Sequence, residues 1–536
     1  MPTREEILRQ DAEDLKRLGY TQQLFREMGG FSNFAVSFSI ISILTGAILL
    51  YGYGLKLAGP IVNTVGWPVV SLFTLAVAAS MAELASAYPT AGGLYFWAFR
   101  LGGRGWAWVT AWLNMIGQVT ITAGINVAAA IYSIGAVSRI FDLPRDMEVP
   151  LFGSLTSWSF QLFVMVVIML PQIAANVRGI RWTARLNDFS VWWHIAGVVV
   201  IVLLLALLGT HRNGAAFLFR FENVTNPLDA SSAPLSGGRV GPALVFGNVH
   251  VPSPLFTLFP GLGSLYRSAP FLLCFVLSLL QAQWTYTGYD ASAHMAEETV
   301  MARLNTAWGV FLSVAVSAVV GLVLLVMLTW AIPAGDVRAA ASDPYPVLYI
   351  VDHNLPRFFA NLVAIVIGGA MWLCGASSVS SMSRMWFAFA RDDGMPGARK
   401  IRAVSVRYGT PVAAIVVTSA LAVAISFYAA AFTVITSIST IALYLAYGIP
   451  IYLNFRNRRR RRGEFASLET APWSLRRWSP LVNAVAIVWI VFISIVFSLP
   501  PNELVLWTML LLGLVLAVYW LGSARRRFPG PVRRPE

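Results

Sequence analysis

Residues 305–332 read "NTAWGVFLSVAVSAVVGLVLLVMLTWAI", without one charged side chain. A run like this fits the hydrocarbon core of a bilayer, which takes about 20 apolar residues as one helix. Such runs recur along the chain. Twelve can be marked, at approximately 31–55, 64–88, 105–137, 157–177, 186–208, 269–293, 305–332, 358–388, 411–428, 430–453, 479–499 and 502–522. Backbone amides find no partner in hydrocarbon, so each run has to form a helix. An all-α polytopic membrane protein is the expected class. Composition agrees, with 57% hydrophobic and 12% charged residues against about 25% charge in a soluble domain.

Charge placement orients the chain. The first 28 residues are polar and mixed in charge, which argues for an uncleaved first span. Most of the 39 Lys and Arg fall in segments that a cytoplasmic N-terminus would place inside, among them "RNRRRRR" at 456–462. Both termini are expected in the cytoplasm, with the protein in the plasma or bacterial inner membrane. The net charge of +14 then reports orientation and lipid contact, and no nucleic-acid partner. Cys274 and Cys374 both lie in apolar runs, giving no disulfide framework and no metal site.

The expected organisation begins with a cytoplasmic segment (1–28) and a first repeat of five helices (29–208). A long external loop (209–268) leads to a second repeat of five (269–455). A basic cytoplasmic loop (456–478), two further helices (479–523) and a tail (524–536) complete the chain.

Two spans are interrupted at matching places. The first carries "SILTGA" (42–47), with Thr45 and Gly46 near mid-membrane, and the sixth carries Thr287–Gly288. Five spans separate them, and five is odd, so the second repeat is inverted relative to the first. Breaking a helix in lipid strands backbone groups at several kcal/mol each. A polar substrate can satisfy them, so matched breaks point to a transporter's binding site. Amide groups at a half-helix start attract a carboxylate, and opened carbonyls attract an ammonium. Close packing of helices would use glycines as well.

Four segments carry a resemblance. "MAELASAYPTAGGLYFW" (81–97), "WTYTGYDASAHMAEET" (284–299), "SMSRMWFAFARDDGMP" (381–396) and "ISTIALYLAYGIPI" (438–451) resemble the amino acid/choline transporter branch of the amino acid–polyamine–organocation permeases. The resemblance implies a LeuT-type fold with discontinuous helices 1 and 6, and a small amino acid, 4-aminobutyrate, choline or related amine as substrate. By the same resemblance the backbone of Leu44, Thr45, Gly46 and Ala47 holds the substrate carboxylate. Carbonyls of Trp284, Thr285, Tyr286 and Thr287, at the break closed by Gly288, hold the amine, and Trp284 closes over the substrate as a gate. Proton-coupled relatives carry a lysine where this chain has His194.

His194 lies within the fifth span. An intramembrane ionisable group suggests function, and histidine suits a proton carrier, although a buried structural histidine or an uncoupled carrier would fit too. Ser377 and Ser378, with Ser380 and Ser381 on the eighth span, could ligate sodium or join helices. Asn114 and Gln118 share a helix face at i, i+4, to bind substrate or cross-link spans. Trp284, Tyr286 and Tyr289 could cage a cationic amine, although one helix cannot turn both tyrosines to the same cavity. Asp290 and His294 also share a face. With Glu298, its neighbour Glu297 and, less firmly, Glu83, they are expected to gate the cytoplasmic side through Arg384 or Arg391.

The chain is therefore expected to be a secondary transporter of a small amino acid or 4-aminobutyrate-like zwitterion. Proton coupling is preferred to sodium, with no cofactor or metal. A choline- or polyamine-type carrier, or an uncoupled one, is the alternative. An intramembrane enzyme or a substrate sensor is more distant, because no zinc-protease motif or nucleophile elbow occurs.

Overall fold

The computed structural model describes residues 3–144, 146–227, 232–234, 240–246, 249–428, 432–459 and 471–531. Part of the basic run at 456–462, and the stretch dividing the ninth from the tenth span, lie outside the described residues. The chain opens with α1 (Arg4–Arg17), started by a reciprocal cap in which Thr3 Oγ1 accepts from the Glu6 N–H and Glu6 accepts from the Thr3 N–H.

The first span is three helical pieces: α2 (Gly30–Ile41), α3 (Ile43–Leu49) and α4 (Tyr51–Ala58). Next come α5 (Trp67–Ala87), α6 (Leu94–Gly102), α7 (Arg104–Ile140), α8 (Trp158–Val177) and α9 (Ile180–Leu208). The sixth span is likewise three pieces: α10 (Phe271–Ser278), α11 (Leu280–Thr285) and α12 (Ala291–His294). The remaining long helices are α13 (Ala302–Trp330), α14 (Arg357–Arg391), α15 (Val412–Tyr428), α16 (Phe432–Arg459), α17 (Ser479–Val496) and α18 (Glu503–Tyr519).

Among the described residues ten helices are long and apolar enough to cross a membrane. The other two expected spans differ from simple rods. Before the sixth, Pro260–Ser268 meets Phe271–Thr285 at 92°, and the ninth is the shorter apolar helix Val412–Phe427. The helices sort by burial. The first, third and tenth spans are 83% buried along their most apolar window and form the centre, whereas the last is only 6% buried. Leu510, Leu511, Leu514 and Val518 of α18 point outward, an apolar face that water would not tolerate but acyl chains would. At 37 residues, α7 is about 55 Å long. It outreaches a hydrocarbon core and runs past both breaks.

The expected all-α class needs one amendment, since the loops hold two small antiparallel sheets. The hairpin β1 (Glu148–Val149) and β2 (Gly153–Ser154) precedes α8. The 209–268 segment, whose structure the sequence left open, contains a 3-10 turn (Ala215–Phe219) and a sheet of β3 (Ser232–Pro234), β4 (Val240–Phe246) and β5 (Val249–Pro252).

Candidate functional site

The first break falls at Ser42, two residues before the expected Leu44–Ala47. Ser42 adopts a left-handed conformation (φ 33°, ψ 84°) between α2 and α3. A non-glycine residue held there costs on the order of 1–3 kcal/mol, so its surroundings have to hold it. Its hydroxyl lies 2.6 Å from Thr45 Oγ1 and 2.7 Å from His194 Nε2. His194 on α9 therefore pins the residue that breaks the first span. Leu44, Thr45, Gly46 and Ala47 form the first turns of α3, where the Thr45 and Gly46 N–H groups donate to the Ser42 carbonyl (2.8 and 3.0 Å) and the leading amides of Ile43 and Leu44 precede the helical ladder.

The second break runs from Tyr286 to Asp290, slightly later than the expected Trp284–Gly288. Trp284 and Thr285 end α11, and Gly288 takes φ +83°, a conformation natural to glycine. The opened backbone is satisfied from α16: Tyr444 donates to the Tyr286 carbonyl (2.6 Å) and the Gly288 N–H donates to Tyr447 Oη (3.2 Å). Only here does a glycine supply the break. Gly46 instead supplies close approach, because a Cβ on it would meet Thr285 Oγ1 at 2.5 Å and Thr285 Cα at 2.8 Å.

The two breaks enclose a cavity of about 10 Å³, room for about one water. At that size it does not admit an amino acid as it stands. Thr45, Gly46, Trp284, Thr285 and Thr287 line the cavity as expected of substrate residues, and Ile40, Ile41, Ile121 and Ile125 form its apolar wall. The isoleucines were missed. Ile121 and Ile125 follow Gln118 along one face of α7, a spacing readable in the sequence, but only the fold shows that this face meets the breaks. Leu44 packs towards Gly197 of α9 instead, and Ala47 is buried outside the lining.

The expected aromatic cage does not assemble. Trp284 lines the cavity and donates to Ser439 Oγ (3.2 Å). Tyr286 turns to α5, with Ser71 Oγ at 2.6 Å and the Trp67 ring at 4.8 Å. Tyr289 packs edge-on to Tyr444 and tilted against Tyr447, with ring centres 6.4 and 5.1 Å away.

Asn114 and Gln118 converge with Asp290. Asp290 Oδ2 lies 2.9 Å from Asn114 Nδ2, 3.0 Å from Gln118 Nε2 and 3.0 Å from His294 Nε2, and Oδ1 accepts from the Tyr447 hydroxyl at 2.8 Å. The expected pairing of Asp290 and His294 with Arg384 or Arg391 is thus corrected. Asp290 sits inside the break, where span 3 amides reach it before any arginine can.

The arginines pair one turn further on. Arg384 forms a fork with Glu298 (3.0 and 3.3 Å), and Arg391 forms one with Glu297 (2.7 and 2.8 Å). Glu83 meets neither. It pairs with Arg458 (3.0 Å) and accepts from Ser479 Oγ (2.7 Å), tying α5 to the start of α17. The serines of α14 diverge too: Ser377 donates to Asn187 on α9, while Ser378 lies 2.6 Å from Thr122 on α7. Ser380 donates to Asn176 on α8.

The N-terminal segment covers this end of the bundle. The Glu27 and Met28 N–H groups donate to the Glu298 carbonyl (3.1 and 2.9 Å), and Val300 N–H donates back to Met28 O (2.9 Å). Asp11 caps α13 by accepting from the Met301 and Ala302 N–H groups (2.8 and 3.1 Å). Tyr20 donates to Asp392 (2.7 Å), as does Tyr95, and the Arg391 guanidinium lies 4.0 Å from the centre of the Tyr20 ring. Burial pushes the Asp392 carboxyl up, with Arg391 opposing. Deeper in, α2 and α12 are sewn together: Asn33 Nδ2 donates to Ser292 O (2.9 Å), Ser37 Oγ donates to Tyr289 O (2.8 Å) and Ser292 N–H donates to Ser37 Oγ (2.9 Å).

Two broken helices crossing at a small cavity, inside an apolar bundle, are the architecture of a solute pathway, and similarity to known proteins agrees. Residues 28–520 match the family described as amino acid permease. The chain is 32% identical to the Amino-acid permease BAT1 of Arabidopsis thaliana, across 97% of this chain and 95% of that protein. It is 31% identical, with the same coverage of both, to the Amino-acid permease BAT1 homolog of Oryza sativa. At 23% identity it also matches the GABA-specific permease of Saccharomyces cerevisiae, across 92% of this chain and 79% of the other. Matches of this identity and reach place the membrane-embedded chain in the amino acid permease family, a family of transporters and not of enzymes.

Proposed function

We propose that the chain moves a small amino acid or 4-aminobutyrate-like zwitterion by alternating access. The fold would be LeuT-type, with twelve spans, two inverted sets of five and both termini cytoplasmic in a plasma or inner membrane. One observation carries this reading: α3 begins and α11 ends against the same cavity, at the contact of Gly46 with Thr285. The start of α3, with the leading N–H groups of Ile43 and Leu44, suits a carboxylate, and the last turn of α11 offers carbonyls to an ammonium. The isoleucine wall suits a short apolar carbon chain between those charges. A choline-like cation is disfavoured, because the tyrosines that would cage it face elsewhere.

Protons are proposed as the coupling ion. Each break adjoins a buried histidine, His194 beside Ser42 and His294 beside Asp290. Sodium is less well supported, since the Ser377 and Ser378 hydroxyls point to different helices.

Purified protein in liposomes should take up labelled amino acids, faster under an inward acid gradient. Unlabelled amino acids should compete, and choline and polyamines should not. Uptake of choline in preference to amino acids would overturn the substrate assignment, and indifference to the gradient would overturn the coupling.

A further inference from the structure

The two buried histidines differ in what their ring nitrogens face. His194 Nδ1 lies 2.7 Å from the Ser190 carbonyl oxygen, which can only accept, so Nδ1 carries a proton. Its Nε2 lies 2.7 Å from Ser42 Oγ, a hydroxyl that can donate to it, and Ser42 Oγ can in turn accept from Thr45. A neutral His194 satisfies every one of these contacts.

His294 has no such solution. Its Nδ1 lies 3.1 Å from the Ala91 carbonyl oxygen and so carries a proton, while its Nε2 lies 3.0 Å from Asp290 Oδ2. A neutral ring protonated on Nδ1 would set a bare lone pair against a carboxylate oxygen, with both side chains fully buried. The amides of Asn114 and Gln118 and the hydroxyl of Tyr447 hold Asp290 as an acceptor. Turning either amide would put oxygen against oxygen. The contacts close only with one more proton between Nε2 and Oδ2.

Among the described residues, the other groups near the pair supply no unpaired charge. From α16 come Tyr444 and Tyr447, and from the break itself Tyr289. Asn33 and Ser37 of α2 bond to Ser292, between the two on α12. Arg384 and Arg391 of α14 are neutralised by Glu298 and Glu297.

We propose that Asp290 and His294 form the proton-binding site of the transporter, taking one proton between His294 Nε2 and Asp290 Oδ2 in each cycle. When that proton leaves, His294 cannot keep both contacts, so the sixth-span break parts from either the Ala91 turn or Asp290. The role in transport rests on the proton-coupled reading above. The protonation itself rests on the geometry alone.

Two measurements on the full-length protein separate these. In liposomes, the ratio of uptake with an inward acid gradient to uptake at equal pH should fall from about tenfold or more to about one in His294→Gln. A ratio kept in that variant overturns the assignment. The ¹⁵N-histidine spectrum of the purified wild type near neutral pH should show one doubly protonated ring, absent from His294→Gln. If His294→Gln does not fold, Asp290→Asn should convert that signal to a neutral tautomer. Should the wild type ignore the gradient, the coupling reading fails, and the spectrum alone decides the site. A neutral His294 beside an ionised Asp290 in the wild type would overturn it.

Discussion

Gly46→Ala will cut uptake on the order of a hundredfold, the scale expected when a preorganised site is displaced by about 1 Å. The alanine methyl would come within 2.8 Å of Thr285 Cα, a backbone atom that no rotamer change can move. Either α3 or α11 has to shift, and both carry the groups proposed to hold the two ends of the substrate. Thr285→Ala in the same chain should recover only part of the loss. It removes the 2.5 Å contact with Oγ1 but leaves the one with Cα. Initial rates of labelled amino acid entry at matched protein content are the check. A Gly46→Ala rate within about twofold of wild type would mean that the crossing is not the site, because the expected displacement is far more costly.

Arg384→Ala will destabilise the protein by about 3–5 kcal/mol, the usual consequence of stranding one partner of a buried ion pair. Glu298 would be left ionisable and fully buried, having lost both oxygens' partners on Arg384. Replacing both residues, Arg384→Met with Glu298→Gln, should recover most of that stability, since two neutral side chains leave no stranded charge. Arg384→Met alone, Glu298→Gln alone and the double variant form a cycle whose coupling should be large and favourable. Apparent unfolding temperatures in detergent, followed by tryptophan fluorescence, should rank wild type first, the double variant second and Arg384→Ala last. A double variant no better than Arg384→Ala would show that the arginine is needed for packing and not for its charge.

The spans were legible because a bilayer leaves so little choice. A long uncharged run has to be a helix, and Trp158–Val177 and Ala302–Trp330 begin and end close to where hydropathy places them. The second break was legible because glycine at 288 does the conformational work itself. The first was misplaced because Ser42 is not a residue that advertises a left-handed turn. It is held there by His194, 152 positions away, and nothing local to "SILTGA" reports that contact. The same limit explains Asp290. Its face-mate His294 was visible at i, i+4, but Asn114, Gln118 and Tyr447 arrive from other helices, and sequence spacing carries no information on which helices meet. Acidic and basic residues clustered near one end were readable as a network. The choice of partners, Glu298 for Arg384 and Arg458 for Glu83, was made by tertiary packing.

The stitching of α2 to α12 through Asn33, Ser37 and Ser292 has a mechanical consequence. Two half-helices joined by that many bonds cannot rotate separately, so any opening of the N-terminal end must carry them together as one lever. The lever would turn on Ser42 and Gly288, the two points where its backbone leaves the helix. Its far arm is the N-terminal segment, clasped to residues 298–302 by main-chain bonds and the Asp11 cap. Residues 3–28 would therefore travel with the moving part, and whatever pulls on them would be pulling on that lever itself.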